Sequence, residues 1–318
     1  MESTFTRNLT VEDSEKGVRL DQFLSEKFGM TRSQADKSIR EARVLVNRLI
    51  TKQGYRVKPG DSIELTLHQP DMDVLIPEEL PIGVVYEDAH LVVADKPPGM
   101  VMYPAAGHDR GTLMNALAGR HTRLATVGAP LRPGVVHRID KDTSGLVVVA
   151  LDDETYYGLL SQFRNRTIKR KYLVLILGRP VAPRGELTLP IGRSTADRKK
   201  MSTRSRRSKP AVTRWILLED YSVASLIEAT LGTGRTHQIR VHWAAAGHPV
   251  LGDDTYGRQC TLELDTGRVN IDRQMLHAAL LGFTHPITGQ VLEFKSPLPT
   301  DMAGVMALLR AHASAASR

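Results

Sequence analysis

The stretch HRIDKDTSGL, residues 137–146, sets two carboxylates, two cations and a histidine directly before an apolar run, Leu146–Leu151. Read on residue types alone, two kinds of chemistry compete for it. In the plainer one, the Asp and Thr side chains hold the backbone amides of a turn ahead of a buried strand. In the other, DKDT at 140–143 resembles the DxDx[TV] pattern of aspartyl-phosphate phosphatases, with Ser144 at its last position, the first aspartate acting as nucleophile and the second as general acid. LGDD at 251–254 could then supply late magnesium ligands. That fold needs an apolar strand ending at the nucleophile, whereas here the apolar run follows it. It also needs alternating strands and helices, and residues 170–231 read as successive strands. His237 and His242 are five apart, without the HExxH spacing, so no metal site is expected. LGTGRTHQ at 231–238 lacks GK[ST], and its glycines suit a tight strand-to-helix turn rather than a phosphate cradle.

The elements that must position these residues follow from periodicity. Leu20, Phe23, Leu24 and Phe28 recur at helical spacing. Gly29 breaks the pattern, and Thr31 can cap a second helix running to about Ala42. Val44–Val46 and Ser62–Leu67 read as strands around a KPGD turn. Residues 69–81 hold three prolines and four acids and read as a linker. Beyond it, strands are predicted at 83–86, 91–94, 146–151, 172–177, 186–189, 213–218, 225–231, 276–283 and 291–294. Helices are predicted at 112–120, 154–163, 235–247 and 301–312. Consecutive strands without crossover helices argue for an α+β protein with a mixed, largely antiparallel sheet.

Bulk properties narrow the partner. The chain has 318 residues and a net charge of +8, enough for two domains and at least one large core. Eight cations face two carboxylates between Arg32 and Lys58, and eight face one between Arg193 and Lys209, so the remainder is net negative. Two basic patches on an otherwise acidic protein point to a nucleic acid. No run approaches the ~18 apolar residues of a membrane span, and the N-terminus lacks the apolar core of a secretory signal. One cysteine, Cys260, and no CxxC fit a reducing cytosol.

The charged loop also resembles the HR[LI]DxxTSGL signature of the RluA/RluD family of RNA pseudouridine synthases. KPPGM with a following proline (96–104) looks like the family's KPxGxxVHP, with Tyr103 in place of its histidine. KRKYLVLILG (169–178), GTGRTHQIRVHWAAAGHPVLGDDTYG (232–257) and LHAALLGFTHP (276–286) match its remaining motifs in order. Residues 18–67 resemble the S4 RNA-binding module that many members carry. The resemblance implies a flexible segment over 1–17, a small α/β S4-like domain over 18–68, the linker over 69–81 and a catalytic domain over 82–318.

It further implies cofactor-free isomerisation of uridine to pseudouridine in structured RNA. Asp140 would be the carboxylate at the sugar, an ionised form favoured by a neighbouring guanidinium. Arg240 would be its ion-pair partner. Tyr172 would stack on the uracil or help remove its C5 proton. Arg138 would enter the space left by the flipped base. His137 is expected to support the loop, and Asp142 to serve turn chemistry. Arg32, Lys37, Arg40 and Arg43, together with Lys199, Lys200, Arg204, Arg206 and Arg207 on a mobile insert, are expected to meet the RNA backbone. The expected partner is 23S ribosomal RNA or a large-subunit precursor, met by a cytoplasmic monomer. Other ribosomal or transfer RNA sites, or a non-catalytic role in ribosome assembly, are the alternatives.

Overall fold

Burial of apolar strands explains most of the architecture. The computed structural model describes residues 4–28, 30, 32–52, 54–68, 74–105, 107–197, 200–257, 260–265 and 267–316. The chain divides into two compact units, Met1–Val74 and Leu75–Arg318.

The first unit contains β1 (Thr4–Thr10), α1 (Leu20–Phe28), α2 (Arg32–Arg40), β2 (Val44–Val46), β3 (Leu49–Ile50) and β4 (Ser62–His68). Its sheet runs β1-β4-β2-β3. Leu20, Phe23 and Leu24 of α1 and Ala35 and Ile39 of α2 pack on Val44, Val46, Ile63 and Leu65. The expectation of a flexible segment over 1–17 is corrected here. All seven residues of β1 pair with β4, from Thr4 opposite His68 to Thr10 opposite Ser62, and Val11 is buried. The strand's alternation is carried mainly by polar residues, which is why the apolar pattern did not disclose it.

The second unit begins earlier than expected. Within the expected linker, residues 69–73 lie outside the described residues. Glu78 N–H donates to Asn115 O (2.9 Å), and Asn115 Nδ2 donates to Ile76 O (2.7 Å), so this proline-rich stretch is bound to the larger unit.

That unit holds β5 (Gly83–Glu87), β6 (Leu91–Lys96), α3 (Leu113–Arg120), β7 (Ser144–Ala150), α4 (Asp153–Asn165), β8 (Lys169–Leu177), β9 (Arg184–Leu187), β10 (Gly192–Arg193), β11 (Met201–Ser202), β12 (Thr213–Asp220), β13 (Ala224–Leu231), α5 (Gln238–Ala245), β14 (Thr261–Leu264), β15 (Gly267–Asn270), β16 (Leu276–Thr284), β17 (Val291–Lys295) and α6 (Thr300–Ala316). Nine strands form one sheet in the order β5-β6-β7-β16-β8-β13-β12-β9, with β17 also on β16. The β7–β16 pair is parallel and the other pairings of this sheet are antiparallel, giving the mixed α+β architecture expected.

All seven residues of β7 are buried, as the apolar run required. One cluster packs Leu113, Met114 and Leu117 of α3 and Ile239 and Trp243 of α5 against the central strands. A second seats Met302, Val305, Met306 and Leu309 of α6, the expected i, i+3, i+4, i+7 stripe, over Leu175 and Leu226. Thr112 caps α3 and Asp152 caps α4 through side-chain oxygens that accept amide hydrogens of the first turn.

Candidate active site

The acidic loop is held by its backbone, which separates the roles of its side chains. Lys96, fully buried, donates from Nζ to the carbonyls of Pro97 (2.7 Å), Met100 (2.9 Å) and Lys141 (2.9 Å). Burial pulls its ammonium down to about 7, against the opposing charges of Asp142 and Asp140. Arg273 Nη1 donates to Asp142 O (3.0 Å), and Gln274 Nε2 donates to Thr143 Oγ1 (3.0 Å). The Val148 N–H donates to His137 Nε2 (3.0 Å), so His137 supports the loop as expected. Gly145 has φ +109°, and a Cβ there would stand 2.3 Å from Ala278 O, so the close parallel contact of β7 with β16 requires glycine in TSGL. Lys141 and Asp142 thus contribute carbonyls to the scaffold.

Asp140 lies where this pinned loop meets α5. Arg240 Nη1 donates to its Oδ2 at 3.1 Å, and His237 Nε2 stands 3.9 Å from its Oδ1. The same guanidinium grips a second carboxylate, Nε to Asp253 Oδ2 (2.7 Å) and Nη2 to Asp253 Oδ1 (2.9 Å), and lies over the Tyr256 ring. Asp253 is completely buried, and the amides of Thr255 and Tyr256 also donate to its Oδ1. Burial works against the charge of Arg240, but Asp253 and then Asp140 more than offset it and raise its pKa. Two-sided pairing of this kind fixes the guanidinium and leaves one face of Asp140 for a substrate.

The turn that delivers Arg240 is built by Gln238. Its Oε1 accepts from Thr233 Oγ1 (2.7 Å) and the Arg235 N–H (3.0 Å), while Nε2 donates to Val212 O (2.9 Å) and Thr213 Oγ1 (3.0 Å). This network holds residues 235–237 out of the helix, with His237 at φ 54°, so α5 starts three residues later than periodicity suggested.

Tyr172, 6% exposed, enters the same cleft from β8, with Asp140, Leu231 and Arg138 among its neighbours. Burial raises the pKa of its phenol; Arg170 opposes the rise and Asp140 adds to it. Arg138 is exposed and donates from Nη1 to Tyr103 Oη (2.9 Å), its guanidinium over the Tyr103 ring. The residue that departs from the motif is therefore the one that receives Arg138.

The structure brings Asp140, Tyr172, Arg240 and Arg138 to one cleft. Asp253, His237 and Tyr256, missed in the sequence, complete it. The LGDD stretch has a structural use within the 232–257 motif: both oxygens of Asp253 are engaged by Arg240 and backbone amides. Among the described residues, no group of three or more His, Cys, Asp or Glu side chains is placed to hold a metal.

The expected RNA-binding residues divide. Arg32, Lys37 and Arg40 are exposed on α2, whereas Arg43 is half-buried and paired with Glu41 (2.8 Å). Arg204, Arg206 and Arg207 are exposed, while Lys200 donates to Thr255 O (2.9 Å) and is corrected to an anchor. Lys199 lies outside the described residues. The insert is also tied down, by the β10–β11 hairpin and by the Met201 N–H on Tyr256 Oη (2.8 Å), so the expectation of a mobile loop does not hold at its base.

Comparison with known proteins gives this arrangement a family. A model described as RNA pseudouridylate synthase matches residues 90–245, and one described as S4 domain matches residues 18–63. An uncharacterised RNA pseudouridine synthase, YlyB of Bacillus subtilis, is 40% identical over 95% of this chain and 98% of its own length. The chain belongs to the RNA pseudouridine synthase family. Its reaction is the isomerisation of uridine to pseudouridine in RNA. Ribosomal large subunit pseudouridine synthase D of Nitrosomonas europaea is 40% identical over 97% of this chain and 89% of its own. Among solved structures, human RNA pseudouridylate synthase domain containing 1 is similar at 26% identity with a TM-score of 0.54, covering 74% of this chain and 96% of its own. Among the described residues, no helix is long and apolar enough to cross a membrane.

Proposed function

We propose that this synthase modifies uridine in large-subunit ribosomal RNA, with Asp140 as the carboxylate that meets the ribose C1′. The observation that carries the site assignment is the Arg240 guanidinium shared between Asp140 and the buried Asp253. It holds an anionic oxygen in place where the bond from C1′ to uracil N1 must break, the sugar gains positive charge, and C1′ must then join C5. Tyr172 offers its ring to the base. Its phenol, raised by burial, stays protonated at neutral pH and is a poor base for the C5 proton. A stacked uridine is out of reach, so the nucleotide is flipped, and exposed Arg138 takes the vacated space.

The target follows from relatives named ribosomal large subunit pseudouridine synthase D, at 39–40% identity over most of the chain. Arg32, Lys37 and Arg40 of the S4 domain and Arg204, Arg206 and Arg207 of the insert supply sequence-independent contacts to phosphates. In this reading the enzyme is a cytoplasmic monomer and needs no cofactor. Mapping pseudouridines in RNA from cells with and without the protein tests activity and target together. Complementation with Asp140→Ala should restore no modification, a loss of at least about a thousandfold in rate, while purified variant still binds RNA. A variant that modifies RNA at the normal rate removes Asp140 from the chemistry.

A further inference from the structure

The cleft continues past Asp140 and Tyr172 into a wider part, about 860 Å³ in all, whose lining includes six arginines and a single carboxylate, Asp140. Five of those arginines are on loops, chain turns or the end of α4. The sixth, Arg170, is different. It is on β8 two residues before Tyr172, therefore on the same face of the strand and roughly 6–7 Å away along it.

Arg170 is only 9% exposed, and its Nε is buried without a hydrogen-bond partner. Among the described residues it forms no ion pair with a carboxylate; its guanidinium stands over the Phe163 ring at 5.2 Å. A second orphan donor flanks the same ring. His137 stacks on Phe163 at 4.8 Å, and its Nε2 accepts from the Val148 N–H, which places the ring proton on Nδ1. That Nδ1 is also buried without a partner. Burial, and then the charge of Arg170, push His137 down to about 3, so it is a neutral donor at working pH. Buried polar groups in native proteins are almost always satisfied, and an unpaired buried cation is costly. Two such donors lie about one aromatic ring, and the residues that carry them line the substrate cleft, which marks a place where an anion belongs.

Gly234 keeps that place open. Its φ is not in the left-handed region, so its backbone does not demand glycine. A Cβ there would stand 3.0 Å from Arg170 Nη1, with no other residue within 4 Å. The missing side chain leaves the guanidinium facing the cleft.

We propose that the Arg170 guanidinium, left facing the cleft by Gly234, seats a backbone phosphate flanking the flipped uridine. The inference rests on the proposed placement of that uridine at Asp140 and Tyr172, since the separation along β8 matches the reach from a ribose C1′ to its neighbouring phosphate. Arg170 acts here as a positioning residue. The phosphodiester supplies the counter-charge that the described residues do not give Arg170, and the seat orients the sugar before the base is turned.

The test uses the full chain and a fluorescently labelled RNA hairpin containing the target uridine, titrated between about 50 and 200 mM salt. Arg170→Gln should weaken binding about tenfold and make the slope of log affinity against log salt shallower by about 0.7–0.9, the loss of one phosphate contact. Arg170→Lys should keep the slope and recover part of the affinity. Gly234→Ala, which crowds the guanidinium without removing its charge, should also weaken binding. A single uncharged methylphosphonate at the linkage flanking the uridine should cost the wild type about tenfold and cost Arg170→Gln almost nothing. The proposal is overturned if Arg170→Gln keeps the wild-type slope, or if the methylphosphonate penalty is equal in both proteins. A scaffold role is separated by melting temperature. Arg170→Gln should not lower it, because an unpaired buried charge has been removed; a lower melting temperature with unchanged binding would assign Arg170 to the scaffold. Pseudouridine is measured in the same samples. A shallower slope without any modification by the wild type would keep the phosphate seat and reject the catalytic reading, and modification with an unchanged slope would do the reverse.

Discussion

Two buried arginines line opposite ends of one cleft and are treated in opposite ways. Arg240 is gripped by Asp253, reaches Asp140 and lies on Tyr256, all from the same chain. Arg170 has a phenylalanine ring and no carboxylate among the described residues. The first arrangement is complete in the folded protein, so it organises the site before RNA arrives. The second is incomplete until a charge is brought to it. Desolvated cations can therefore serve as framework or as receptor, and their partners, rather than their burial, tell the two apart.

The largest effect on stability should come from breaking the completed end. Asp253→Ala leaves Arg240 buried with Asp140 alone, and should cost about 3–5 kcal/mol in urea unfolding. Loss of modification should accompany it, since Asp140 would lose its fixed partner. A stable, fully active Asp253→Ala enzyme would show that Arg240 does not depend on this clamp.

Exposed cations should behave as a third class. Replacing Arg204, Arg206 and Arg207 together by alanine should leave the melting temperature within a degree or two. It should reduce RNA affinity and the salt slope by about two contacts. Filter-binding titrations at several salt concentrations check this. An unchanged slope would place the insert away from phosphate.

Lys96 gives a pH-dependent version of the same contrast. Its folded value is about 7 against an ordinary 10.5, so between these the unfolded chain holds a proton that the folded one has released. Stability contributed through this group should rise with pH from about 7 toward 10.5. Lys96→Met should flatten that rise when unfolding is compared at pH 7 and pH 9, although losing the donor to Lys141 O lowers stability at both. The smallest effect is expected at Asp142. Its carbonyl accepts from Arg273 and its carboxylate acts on Lys96 through charge alone, so Asp142→Ala should remain within a few-fold of wild-type activity in a single-turnover assay.

What could be read from the sequence follows the same physical division. The run Leu146–Leu151 disclosed itself because a strand buried on both faces is apolar without interruption, and the stripe on α6 because one buried face imposes a period. The hairpin of β14 and β15 and the pair β10–β11 did not, because strands of two to four partly exposed residues leave no period to detect. At the site, the motifs led to Asp140, Tyr172, Arg240 and Arg138. Asp253 stayed hidden because its meaning lies in a contact thirteen residues from Arg240, across a turn, and its neighbours LGD look like a metal-binding loop. The orphan donors on Arg170 and His137 have no signature at all in residue types. Only packing reveals that nothing among the described residues answers them.

The perch of Arg138 on Tyr103 carries a consequence for timing. A guanidinium that slides between bases exchanges one flat π surface for another, so leaving the tyrosine forfeits little that the base stack does not return. The side chain is already restricted in orientation by that hydrogen bond and ring contact, which lowers the entropy to be lost at insertion. If Arg138 has the role proposed for it, insertion into the RNA stack and withdrawal from it would be nearly balanced steps, so that a uridine could be held out long enough for its bond to be rebuilt and the finished RNA still be released.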